Sequence, residues 1–168
     1  MTIHIEDYTA WVNNEYSLWK ETLLDAITTE SKFAVFKEQS QVKRMLGVSD
    51  LFQPFLEKLK NESLPWDKLE ALDKIGSPTN TVDVNGFQIS GIGLRYIYYA
   101  NKIVNNISNM KNIRLLEIGG GYGGLAANVH VLAKEKKIKI KEYGIFDLPE
   151  VQTFQKYYLD KVLNTTAH

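Results

Sequence analysis

Cysteine is absent from this chain. Disulfide frameworks, cysteine-bound zinc and thiol nucleophiles are therefore excluded, and the composition suits a reducing cytoplasm. Histidine is scarce: three residues, scattered without metal-ligand spacing, so no metal site is expected. An excess of charge is also missing, because twenty basic residues balance twenty acidic ones. Net charge thus gives no pull toward nucleic acid or a membrane surface. No apolar run approaches the ~20 residues that span a bilayer. The N-terminus, Met1-Thr2-Ile3-His4-Ile5-Glu6-Asp7, lacks the basic stretch and apolar core of a signal peptide. A soluble cytoplasmic protein without nucleic-acid or membrane partners is the expectation. Repeats and low-complexity tracts are absent too.

What is present is a core-forming composition, 44% apolar and 11% aromatic, which argues against disorder. From Glu6 to Thr29 the residues Tyr8, Trp11, Val12, Tyr16, Trp19, Leu23, Leu24 and Ile27 fall on one helical face. Phe33, Phe36 and Val42 to Leu46 predict a second helix closed by Gly47. Ser49 or Asp50 is placed to cap a third through Leu59, with Pro54 in its first turn. Trp66 to Ile75 predicts a fourth. After the break at Gly76-Ser77-Pro78, a short-strand stretch runs through Val82, Val84 and Phe87. A helix follows from Ser90 to Ser108, then a strand over Ile113–Ile118 whose apolar character suits burial on both faces. A crossover helix carries Leu125, Val129 and Leu132 and ends in the lysines of 134–137, read as a solvated helix end. A second strand spans Ile138 to Phe146, and Pro149 opens the last helix. The chain divides into a helical cap region over 1–88 and a β-α-β-α unit over 89–168.

The junction at Leu115-Leu116-Glu117-Ile118-Gly119-Gly120-Gly121-Tyr122-Gly123-Gly124 carries the chemistry. A strand ends in a carboxylate, breaks into glycines and opens into a helix. Glycines there allow a tight turn and close approach of a ligand to the backbone. The helix start presents free N–H groups and the positive end of its dipole. The second strand ends in Phe146-Asp147-Leu148-Pro149, another carboxylate at the same sheet edge. A nucleotide-type cofactor held between two strand ends is the natural reading. Gly119-x-Gly121-x-x-Gly124 also satisfies the dinucleotide fingerprint. Glu117 weighs against it, because a carboxylate repels pyrophosphate but accepts hydrogen bonds from an ammonium group. Each residue also has a purely structural use: glycines for turning, Glu117 as a cap, Asp147 as N-cap of the Pro149 helix.

Glu117-x-Gly119-x-Gly121-x-Gly123 resembles motif I of S-adenosyl-L-methionine-dependent methyltransferases, and Phe146-Asp147-Leu148-Pro149 resembles their second motif. With Leu94-Arg95-Tyr96-Ile97-Tyr98-Tyr99-Ala100, Asp73-Lys74-Ile75-Gly76-Ser77-Pro78 and the helix from Leu148 to Leu159, the chain is similar to a bacterial family of sugar O-methyltransferases. The likeness covers the second half of the chain well and the first seventy residues or so loosely. It implies a Rossmann-like α/β fold, of which this chain holds the first half. It also implies S-adenosyl-L-methionine as cofactor and a sugar hydroxyl in glycan or polysaccharide biosynthesis as acceptor. By the same resemblance Gly119, Gly120, Gly121 and Tyr122 form the loop around the donor's amino-acid portion, anchored by Glu117. Asp147 holds the ribose hydroxyls and Leu148 lies against the adenine. Arg95, on the preceding helix, is the candidate for the donor carboxylate; Tyr96, Tyr98 and Tyr99 beside it cannot all face inward.

No residue stands out as the catalytic base. The strands that flank these two in that family come later in the chain, so both sheet edges are expected to be open, an aggregation liability. The expectation is a truncated copy, with a homo-oligomer or partner chain that completes the sheet as the alternative. Two other functions stay open: a catalytically incomplete remnant or partner subunit, and a dinucleotide-binding module.

Overall fold

A computed structural model describes residues 17–46 and 52–165. Tyr8, Trp11, Val12, Tyr16, Gly47, Ser49 and Asp50 lie outside the described residues. Residues 17–26 are helical (α1) and bury Trp19, Leu23 and Ala26, the spacing of one helical face. The helix expected over Phe33 to Leu46 is three short pieces: α2 (Glu30–Phe33), a 3₁₀ turn (Phe36–Glu38) and α3 (Ser40–Met45). Thr29 caps α2 by accepting from the Lys32 amide. The break coincides with a tertiary contact. The Lys37 N–H, which would continue the helix, donates instead to the Gly76 carbonyl at 3.2 Å. Gln39 then turns extended, with φ −64° and ψ 131°. α4 (Gln53–Leu59) keeps Pro54 in its first turn, where no donor is lost.

α5 (Trp66–Asp73) ends at a buried polar junction. Lys37 Nζ donates to the Asp73 carbonyl at 2.6 Å and to Asp73 Oδ1 at 3.2 Å. Both side chains are almost fully buried, with 2% and 4% exposure. Asp73 Oδ2 accepts from the Ser90 amide at 2.6 Å, and Oδ1 from the Ser90 hydroxyl at 2.8 Å. Burial pulls the Lys37 pKa down and the Asp73 charge offsets that pull. Gly93 leaves room for this carboxylate: a Cβ there would lie 2.5 Å from Asp73 Oδ1.

Asp73 therefore helps to set where the next elements begin. β1 (Thr81–Val84) and β2 (Phe87–Ser90) pair antiparallel with Val84 opposite Phe87. Asn85 and Gly86 join them with positive φ values of 55° and 87°, the backbone that an Asn-Gly hairpin turn requires. Ser90 caps α6 (Gly91–Ile107), accepting from the Gly93 amide at 3.0 Å. α6 buries Leu94, Ile97, Ala100, Val104 and Ile107 along one face.

β3 (Ile113–Ile118), α7 (Gly124–Glu135) and β4 (Ile140–Phe146) form a parallel β-α-β unit, followed by α8 (Pro149–Thr165). The architecture is mixed α/β, with two separate two-stranded sheets among the described residues. One hydrophobic core includes Trp19, Phe36 and Leu69 from before residue 88 and Ile97, Leu132, Phe154 and Val162 from after it. The expected burial of β3 on both faces is not observed. Leu115 and Tyr143 pack on the core, but Leu116, Ile118 and Phe146 are 71%, 77% and 68% exposed. Side chains alternate across a strand, and among the described residues helices cover only the Leu115 face.

Removing one partner of a buried pair leaves an uncompensated charge. Lys37→Met is expected to destabilise the fold by about 3–5 kcal/mol in denaturant titrations. Lys37→Met combined with Asp73→Asn should lose less than the sum of the two single changes.

Candidate functional site

The glycine loop begins where β3 stops, and the Gly119 amide donates to the Phe146 carbonyl at 2.9 Å. That bond ties the loop to the end of β4. Gly119, Gly121 and Gly123 have φ values of 72°, 58° and 94°, a region that side-chain-bearing residues rarely adopt. Gly119 faces open space, with nothing within 4 Å of where a Cβ would stand. A Cβ on Gly121 would meet Tyr96 Oη at 3.3 Å and Leu46 Cδ2 at 3.4 Å. Gly120 serves packing instead, since a Cβ there would lie 2.6 Å from Ile145 Cγ2.

A cleft of about 170 Å³ opens on this loop, lined by Trp19, Met45, Leu46, Gly119, Gly121 and Asp147. It lies at the C-terminal ends of β3 and β4, the edge at which open α/β sheets bind ligands. Asp147 is held in place. Its Oδ2 accepts from Gln155 Nε2 at 2.8 Å, and the same nitrogen donates to the Gly121 carbonyl at 2.9 Å. Its Oδ1 accepts from the Leu148 amide at 2.8 Å. Gln155 thus fastens the β4 carboxylate to the glycine loop.

Glu117 sits behind the loop, half-buried, and its Oε2 accepts from the Tyr143 hydroxyl at 2.9 Å. Oε1 makes no hydrogen bond among the described residues. Burial and the negative charge of Asp147 hold the Glu117 carboxyl above its ordinary value, with the Tyr143 bond partly opposing them. The Tyr143 hydroxyl is itself pushed up by burial and by the Glu117 charge.

Of the residues anticipated from sequence, Gly119, Gly121 and Asp147 line the cleft. Glu117, Gly120 and Leu148 are near these residues in the chain but do not line the cleft. The Tyr122 side chain turns inward, 2% exposed, against Phe36, Tyr96 and Tyr158, so only its backbone is left for a ligand. The guanidinium of Arg95 lies over the Tyr96 ring, 5.6 Å from its centroid, and Arg95 does not line the cleft. Burial raises the Tyr96 pKa to about 12, partly opposed by Arg95. Tyr98 and Tyr99 point elsewhere, onto Phe55.

Sequence reasoning missed the cleft walls Trp19, Met45 and Leu46, and it missed Gln155. The first three fit a helical core face, and that is how they read. Gln155 had one signal: a polar residue on the buried side of α8, at 3% exposure. Among the described residues no group of three or more His, Cys, Asp or Glu is placed to hold a metal ion. No helix there is long and apolar enough to cross a membrane.

Comparison with protein-family models, with curated proteins and with solved structures finds no match to this chain.

The raised Glu117 pKa makes a prediction with a defined sign. A carboxylate favoured in its protonated form stabilises the fold at low pH, and that contribution is lost as pH rises through the folded-state pKa. Glu117→Gln should therefore unfold at higher temperature than the parent at pH 7, with the difference vanishing near pH 3. A difference that persists unchanged at both pH values would show that the carboxylate is not electrostatically strained.

Proposed function

We propose that this chain carries the donor-binding half of an S-adenosyl-L-methionine-dependent O-methyltransferase of Rossmann-like type, directed at a sugar hydroxyl. One observation carries the reading: Gly119, Gly121 and Asp147 converge on a single cleft at the C-terminal ends of two parallel strands. A backbone concavity facing a fixed carboxylate suits a ligand with a ribose diol and an amino-acid tail. Glu117 favours an ammonium-bearing ligand over a pyrophosphate, whose charge it would repel.

The residues fit the donor at three points. The open space at Gly119 lets a ligand approach the main chain without meeting a side chain. Asp147 keeps acceptor capacity for hydroxyls because each oxygen takes one donor from the protein. Glu117 Oε1 is available to the loop or to an ammonium group. Trp19, Met45 and Leu46 supply an apolar wall on one side of the cleft. When bound, the donor supplies an electrophilic methyl group; the protein's part is to align it with the acceptor oxygen. Asp147 is the titratable group among the described residues that line the cleft, and its two protein donors suit it to binding rather than to proton abstraction. Glycan or polysaccharide biosynthesis as the setting rests on the sequence resemblance.

Isothermal calorimetry with S-adenosylhomocysteine tests the reading, with NAD as the contrasting ligand. Binding of the first and not the second is expected. A hydrogen bond to a charged acceptor is worth about 1.5–3 kcal/mol, so Asp147→Ala should weaken binding at least about tenfold. Gly121→Val should abolish it, because a branched side chain would enter the cleft and strain the loop. Preference for NAD, or full affinity in a folded Gly121→Val protein, would sink the assignment.

A further inference from the structure

A cleft of about 950 Å³ lies at the other end of the parallel strands, between the ends of α6 and α7 and the start of β4. The length of β3 separates it from the glycine loop by roughly 15–20 Å. Six lysines line it: Lys111, Lys134, Lys136, Lys137, Lys139 and Lys141. No carboxylate lines it among the described residues. In a chain whose charges balance at twenty against twenty, this is a marked segregation.

Two ordinary explanations cover only part of the cluster. Lysines in the last turn of a helix offset its dipole, which accounts for Lys134 and the adjoining Lys136 and Lys137. Pairing with acids is the usual fate of the others, as Lys68 pairs with Glu135 and Lys161 with Glu30. Lys111, Lys139 and Lys141 lie beyond the helices, and neither they nor Lys137 form an ion pair among the described residues. Like charges gathered in one concavity repel one another, and they raise the local concentration of anions. Met110, Ala133, Ile138 and Ile140 add apolar lining.

We propose that this lysine-lined cleft binds a small ligand bearing several phosphate groups. Compact ammonium groups on flexible stems serve as point-charge partners for phosphate oxygens. The volume matches that of small-molecule sites. No Phe, Tyr or Trp lines the cleft, so it lacks the large rings on which bases most often stack. Recognition therefore falls on the anion itself. His130 stands at the rim, where desolvation and the Lys134 charge keep its pKa below the ordinary value. The site is separate from the donor cleft and does not depend on the methyltransferase reading.

The test uses tripolyphosphate as probe, by calorimetry at about 50 mM salt. Saturable binding is expected, weakened at least tenfold in Lys137→Gln/Lys139→Gln/Lys141→Gln and unchanged in the control Lys58→Gln/Lys60→Gln/Lys156→Gln. Bound tripolyphosphate should also raise the melting temperature, and it should raise the His130 pKa followed by NMR on the unaltered protein. That second readout keeps the test valid even if the triple variant folds poorly. Absence of saturable binding, or equal losses in both variants, would overturn the proposal. Tighter binding of a duplex DNA through the same lysines would also overturn it, reassigning the cleft to nucleic acid.

Discussion

The contact between the Lys37 ammonium and Asp73 organises the protein around the glycine loop. Lys37 belongs to the 3₁₀ turn, Asp73 ends α5, and Ser90, also bound to Asp73, begins α6. One buried carboxylate thus joins three segments far apart in sequence. Charges taken out of water this completely are costly, and only a full set of partners compensates them. Here the carboxylate accepts three hydrogen bonds, counting those from Lys37 and Ser90. Lys37 also lies 5.3 Å from the centroid of the Tyr122 ring, so the polar junction is continuous with the aromatic cluster beneath the loop.

That continuity explains why the loop is held so closely. Tyr122 packs edge-on against Phe36, Tyr96 and Tyr158, with centroids 5.0–5.5 Å apart, a favourable geometry for aromatic pairs. Tyr96 comes from the helix that Asp73 helps to start, and Phe36 from the turn that carries Lys37. The cleft then inherits its walls: Trp19 from α1, and Met45 and Leu46 from the end of α3. Asp147 is fixed independently through Gln155. A site whose groups are held by partners outside the ligand's reach loses little freedom when a ligand arrives, which favours affinity.

Parallel strands give the β3–β4 sheet two unlike ends. At the C-terminal ends lie glycines and carboxylates; at the N-terminal ends lie lysines. Each end gathers groups from both strands, because parallel pairing places both starts on one edge and both finishes on the other. The outer face between them stays apolar and uncovered at Leu116, Ile118 and Phe146, flanked by the exposed Arg114–Glu142 pair.

Much of the local structure was legible in the residues. Ser90 and Ser108 bracket α6, Pro149 opens α8, and the strand over Ile113–Ile118 ends at the glycines. Each of these signals acts through its own backbone or its immediate neighbours. The convergence of Gly119, Gly121 and Asp147 was legible for the same reason, since adjacent parallel strands must end together. Other features depended on distant partners. The break of the second helix comes from the Gly76 carbonyl, which is brought to Lys37 only by folding. The inward turn of Tyr122 reflects three rings from three other elements. Gln155 acquires its role because α8 packs beside the loop. Whether β3 is covered on one face or two is a question of what packs on it, and an apolar strand reads alike in both cases. Sequence by itself determined the α6 and α8 starts, the Asn85-Gly86 turn and the residues at the strand ends, because those follow from short-range sterics and hydrogen bonding. The tertiary structure alone decided which polar groups share a buried junction, which side chains wall the cleft and where the lysines collect, because those are contacts between residues that the chain keeps far apart.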